Sequence, residues 1–155
     1  MINFMNLNYL LDKVKNSDEF KKLDKSNYLV NYVFMDYHWG LGFYSKETRK
    51  ITSFIVNDKI KIIPENEVLQ KENAHLEELD LNLIKINLDE ALEIAIKEKN
   101  NNEDISKKII ILQKIKEQLW NITFITSLFN LFNIKINAEN GKILNQNMES
   151  LLRFK

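Results

Sequence analysis

The chain has 155 residues, 45% hydrophobic and 28% charged, a balance that excludes wholesale disorder and suits one globular domain or two small ones. Its 22 basic and 22 acidic side chains cancel, so no net field draws it to nucleic acid or to an acidic membrane surface. With no cysteine, disulfides, thiolate metal sites and a cysteine nucleophile are excluded together.

Residues 1–20 carry neither the basic start nor the apolar run of a secretion signal. The longest uncharged stretch, residues 118–134, spans 17 positions and is studded with Asn, Thr and Ser, so it reads as buried strands rather than a membrane span. A cytoplasmic protein with no nucleic-acid or membrane partner is expected. Phe4, Leu7, Leu10, Leu11 and Val14 recur at helical spacing and predict an amphipathic helix over residues 3–15. Ser17 can cap a short turn that faces Phe20 and Leu23 inward. Residues 28–37 are rich in β-formers and predict a strand, followed by strands over 39–44, 51–56 and 59–62. Trp39, Leu41 and Phe43 alternate on one face, and Thr52, Phe54 and Val56 do the same.

Pro64 is expected to end the strand region. A second helix then starts at residue 65 or 66, with Val68, Leu69, Leu76 and Leu79 inward, and an extended piece covers 81–86. Asn87 with Glu90 three residues on resembles a capping box for a third helix, whose stripe is Leu88, Ala91, Leu92, Ala95 and Ile96. Residues 97–104 read as a solvated loop, and 106–115 as a strand buried on both faces in its middle. Trp120, Ile122 and Phe124 alternate next, then Ile134 and Ile136. Asn140-Gly141 supplies a positive-φ turn into residues 142–144, and 149–154 form a last helical turn.

An internal repeat links the halves. Trp39 and Trp120, Leu41 and Ile122, Phe43 and Phe124, Asn6 and Asn87, and Leu7 and Leu88 all lie 81 positions apart. Residues 134–144, IKINAENGKIL, together with the Ala91-Leu92 pair of the preceding helix, resemble the PepSY domain. That family closes on an "apolar–Asp–Ala–x–Thr–Gly–x–apolar" turn. The resemblance covers 86–144 well and 6–62 weakly, with Asn137 in place of the family's Asp and Asn140 in place of its Thr. It implies an α+β fold of two tandem units, each a helix on an antiparallel sheet of about three strands, possible to pack as one domain. The units would span 1–64 and 86–155, joined by a linking helix and connector over 65–85. PepSY domains bind or inhibit peptidases, so the resemblance implies a non-catalytic module that binds a protein or peptide.

The residues carry little chemistry to set against this. His38 and His75 stand in different elements without a further ligand at metal spacing. Asp36 and His38 share a strand face but have no positioned nucleophile nearby. Gly40 and Gly42 lie within a strand pattern rather than a phosphate loop, and leave a flat patch for a helix, or less simply for a ligand or partner. Neither a cofactor nor a metal is expected, and no enzyme.

One stretch breaks the symmetry of the repeat. The first half turns through polar residues 45–50, the second through an apolar run that includes Leu128, Phe129, Leu131 and Phe132. Exposing large apolar side chains costs roughly 1.5–3 kcal/mol each, so these four are expected to be core or, in the alternative, to contact a partner or a second copy as a homodimer. A small-ligand binder or enzyme using the concavity between helix and sheet is the second functional reading. A structural subunit of an assembly is the third.

Overall fold

The computed structural model describes residues 6–67 and 76–153. Helix α1 (Leu7–Lys15) begins at Asn6, whose side chain accepts the Asn8 N–H, one of the donors a helix start leaves unpaired. The expected positions Phe4 and 3–5 lie outside the described residues. Ser17 caps the short helix α2 (Asp18–Lys21) by accepting the Phe20 N–H. Four strands follow: β1 (Tyr28–Met35), β2 (His38–Ser45), β3 (Lys50–Val56) and β4 (Ile60–Glu67).

A 3-10 turn at Leu81–Leu83 leads to helix α3 (Leu88–Lys99), where both arms of the capping box form: Glu90 N–H to Asn87 Oδ1 at 2.9 Å and Asn87 N–H to Glu90 Oε1 at 3.3 Å. Four more strands complete the chain: β5 (Ile105–Ile115), β6 (Glu117–Thr126), β7 (Asn130–Asn137) and β8 (Ile143–Ser150), ending in a 3-10 turn at Leu151–Arg153. A run of four strands thus follows helix twice among the described residues, α1 and α2 in the first half and α3 in the second.

All eight strands join in one antiparallel sheet of order β4-β3-β2-β1-β5-β6-β7-β8. Seven ladders connect it, six of them between strands adjacent in sequence. The seventh pairs β1 with β5 over four positions, Asn31–Gln113 to Phe34–Ile110. The architecture is therefore α+β, dominated by a single wide sheet.

Alternation puts Tyr32, Leu41, Phe43, Phe54, Ile110, Leu112, Trp120, Ile122, Phe124 and Ile134 on one face, and Leu10, Val14, Ala91 and Ala95 of the two helices close over them as one core. Phe20, Phe43 and Phe54 interlock with ring centroids 4.9–5.7 Å apart. The connector before α3 is bound to both halves. Leu79 N–H donates to Leu29 O, and buried Gln118 both accepts the Asp80 N–H and donates to the Asp80 carbonyl. Lys85 and Ile86 N–H groups share the Ala138 carbonyl.

Several expectations need correction. Each run holds four strands rather than about three. Pro64 does not end the strand region, because β4 is an edge strand and continues through it to Glu67. A proline N–H is not missed where no neighbour needs it. Residues 65–67 are accordingly strand, and the expected helix with Val68 and Leu69 lies largely outside the described residues. The closing strand runs to Ser150 instead of residue 144. Residues 97–99 are helical, and Lys99 is buried with its ammonium donating to Asn101 Oδ1 and to the Asn101 and Glu103 carbonyls. Asp36 and Tyr37 are not strand residues; both have positive φ, of 53° and 67°, and form the two-residue turn between β1 and β2.

Candidate functional site

Because α1, α2 and α3 all pack on one face, the other face of the sheet is left open among the described residues. The register carries a single row across all eight strands of that face: Lys61, Ile55, Gly40, Val33, Ile111, Asn121, Lys135 and Asn145. Its middle is apolar and its flanks carry lysines. Val33, Ile55 and Ile111 are only half-buried, the coverage that neighbouring strands alone provide.

Gly40 makes the centre of the row shallow. A Cβ there would press on Ile55 Cδ1 at 3.2 Å, so the Ile55 side chain lies over the space a larger residue would fill. At Gly42 the Asn31 amide takes that space, and a Cβ would collide with it. The resulting groove has a volume of about 440 Å³ and is bordered by Val33, Met35, His38, Ile55 and Ile63.

On the second half the open face is polar and held in place. Asn133 Nδ2 donates to Asn121 Oδ1 at 2.7 Å and to Thr123 Oγ1 at 2.9 Å. Beyond it, Lys107, Ile125, Leu131 and Glu149 form another row, with Lys107 3.6 Å from Asp36. The strand β5, expected to be buried on both faces, is buried on one: Ile110 and Leu112 are covered by the helices, Ile109 and Ile111 are not.

The four apolar turn residues separate by period. Phe132 is core at 3% exposure, stacked on Phe124. Leu131 lies half-buried on the open face. Leu128 and Phe129 occupy the turn itself and stand 64% and 57% exposed. That turn is rigid: Asn130 N–H donates to Thr126 Oγ1, Thr126 Oγ1 donates to Glu103 Oε1, and Ser127 N–H donates to the Asp104 carbonyl.

Other candidate chemistry disperses. His38 is exposed, His75 lies outside the described residues, and among the described residues no three His, Cys, Asp or Glu side chains gather at metal-binding spacing. Asp36 pairs with Lys107 and sits in a turn, so the Asp36–His38 strand-face dyad does not form. Between helices and sheet core side chains pack together, and clefts open at the rim. One of about 370 Å³ lies between Trp39, Trp120 and the N-termini of α1 and α3. Another, of about 700 Å³, is bordered by Phe20, Leu23, Phe43 and Glu78. Burial, and to a lesser degree Asp12, pushes the Tyr32 phenol above its ordinary range, while its hydroxyl donates to the Leu7 carbonyl. This tyrosine secures α1 to the sheet.

No family model matches the sequence, and no curated protein does. The fold is similar to that of a solved structure described as a "putative lipoprotein" from Clostridium difficile 630, with 18% sequence identity over 90% of each chain and a TM-score of 0.61. At that identity the likeness is one of fold. In addition, no helix among the described residues is long and apolar enough to cross a membrane.

Proposed function

We propose that this protein is a non-catalytic binding module built of two tandem PepSY-like units, and that its contact surface for a folded protein partner is the open face of the sheet. The observation that carries the reading is the uncovered row with Ile55, Val33 and Ile111 at its centre. Eight strands about 4.8 Å apart and eight residues of about 3.3 Å rise each define a surface of roughly 900 Å². One side of a typical stable protein interface is about 800 Å². Such a face is matched to another domain and far exceeds what a small ligand needs.

Its composition points the same way. Apolar residues at the centre with Asn, Thr, Ser and Lys around them resemble the apolar core and polar rim of a non-obligate interface. The lysines at the flanks, Lys61 and Lys135, suit a partner that presents an apolar ridge bordered by carboxylates. The twofold occurrence of helix and four strands, with Asn6 and Asn87 both capping and Trp39 and Trp120 both on the second strand, supports the tandem reading.

The test compares the wild-type chain with Val33→Asp/Ile111→Asp on the open face and Glu93→Lys on the exposed face of α3. Each is used to capture proteins from its host, and any captured protein is then purified and titrated. Binding by the wild type and by the Glu93 variant, with at least about a hundredfold loss in the double variant, supports the surface. A partner held equally by the double variant places recognition elsewhere and refutes it.

A further inference from the structure

We infer that β8 is a self-pairing edge and that two copies of this chain join through it in an antiparallel manner, extending the sheet across a twofold axis. This concerns the margin of the sheet and stands or falls apart from the open face.

The two edges of the sheet are not alike. An edge strand presents unpaired backbone N–H and C=O groups, and proteins guard it with charges, proline or irregular backbone. Strand β4 is so guarded: its sequence includes Lys61, Pro64, Glu65 and Glu67. Strand β8 reads Ile-Leu-Asn-Gln-Asn-Met-Glu-Ser, with Glu149 as its one charge and no proline. Both edge ladders carry one register shift, that of β8 lying between Lys135 and Ile136 of its neighbour, and beyond it the β8 ladder runs regularly from Asn145 to Ser150.

Exposed apolar side chains gather at the same margin. Of 13 large hydrophobic residues exposed among those described, six are Ile143, Leu144 and Met148 of β8, Leu152 just after it, and Leu128 and Phe129 of the neighbouring turn. The Leu151 N–H donates to the Phe129 carbonyl at 2.8 Å, which brings that turn to the C-terminal end of β8. The strand therefore carries an apolar cluster at each end, with Asn145, Gln146 and Asn147 between them.

That arrangement is self-complementary. A twofold axis perpendicular to the sheet keeps side chains of opposed residues on one face, so it passes through a residue position, and Asn147 is the middle of the regular Asn145–Glu149 segment. Asn147 then faces its own counterpart, and Glu149 faces Asn145, which neighbours Lys135 on β7. Ile143 and Leu144 of each copy meet the Ser150–Leu152 end of the other, beside Leu128 and Phe129. No like charges are opposed, and both apolar clusters are covered at once. A fully heterologous strand would gain the backbone pairing but would not by this symmetry match both ends.

The axis at Asn147 makes the experiment direct, since a charge there meets itself. Asn147 is exposed, so Asn147→Lys and Asn147→Glu leave the fold intact, as circular dichroism verifies. Sedimentation equilibrium of the wild type should show a dimer. Each variant alone should self-associate at least about tenfold more weakly, equivalent to about 1.4 kcal/mol, and an equimolar mixture of the two should recover a heterodimer. Leu152→Asp, outside the strand, should weaken the dimer independently of any effect on β8. A wild-type monomer up to the highest soluble concentration overturns the inference. So does a dimer indifferent to Asn147→Lys and Leu152→Asp, or a mixture that stays monomeric.

Discussion

Trp39 and Trp120 offer the sharpest test of how the two halves differ under their common element order. Both stand on the second strand of their run and face the helices. Trp120 is fully buried and donates its indole N–H to the Ile86 carbonyl at 2.9 Å. Trp39 is half-buried, with its ring 5.3 Å from that of Phe34. Truncating a buried tryptophan to alanine costs about 3–5 kcal/mol, and leaving the Ile86 carbonyl unpaired adds about 1 kcal/mol. Trp39→Ala, which removes about half as much buried surface and no recorded hydrogen bond, should cost about 2 kcal/mol. For a chain of this length 1 kcal/mol moves the melting temperature by about 2–4 °C, so the difference of about 2–4 kcal/mol should put Trp120→Ala roughly 4–16 °C below Trp39→Ala. Trp120→Phe separates the contributions: it keeps most of the packing and should lose about 1–2 kcal/mol. Urea titration followed by circular dichroism measures all three. Equal losses at the two tryptophans, or no loss in Trp120→Phe, would refute the assignment of the difference to burial and to the indole hydrogen bond.

Two further predictions concern the local chemistry of the second half. Asn87→Ala removes one arm of the capping box and leaves the bond from the residue-87 backbone N–H to Glu90 intact, just as Asn6→Ala removes one cap bond, so each should cost about 1 kcal/mol, while Asn87→Ala/Glu90→Ala removes both arms and should cost more than either, as thermal melts of the three variants will show. Asn137 is buried; its Oδ1 accepts the Glu139 and Asn140 N–H groups, while its Nδ2 donates to Glu117 Oε2 at 3.0 Å. Asn137→Asp keeps the acceptor but sets two carboxylates against each other. Its repulsion raises the pKa of the new acid in the folded state, so the variant should be destabilised at pH 7 and recover towards wild type as pH falls to about 4. A constant difference across that range, read from denaturation midpoints, would contradict the pairing with Glu117.

Much of the fold was legible because period-2 alternation and capping are local. The run Trp120, Ile122, Phe124 and the Asn87–Glu90 box both took the structures their spacing predicts. Gly141 carries the positive φ, of 80°, that the turn before β8 needs. What escaped was governed by position in the sheet. Strand β8 is exposed along its length and needs no apolar alternation, so Asn145, Gln146 and Asn147 look like loop. Pro64 looks like a terminator until β4 is known to be an edge. The turn at Asp36-Tyr37 lacks the Asn-Gly or Asp-Gly pair that would announce it. Phe132 and Leu131 were separable in advance, since continuing the alternation back from Ile134 puts Phe132 inside and Leu131 outside. The open face left one trace: Ile109 and Ile111 alternate with Ile110 and Leu112, a strand apolar on both sides in a sheet that, among the described residues, has helices on only one.

The four-position seam between β1 and β5 also has a consequence for synthesis. Every other ladder closes between strands adjacent in sequence, so each four-strand run can zip up by hairpins without long loop closure. During translation the first run is complete before Ile110–Gln113 leave the ribosome, and until then β1, which carries Val33, is a bare edge. The nascent chain passes through an interval in which the β1 edge awaits a partner that has yet to be made. Synonymous codon changes that slow elongation between α3 and β5 would lengthen that interval and favour pairing between neighbouring nascent chains, with the finished sequence unchanged.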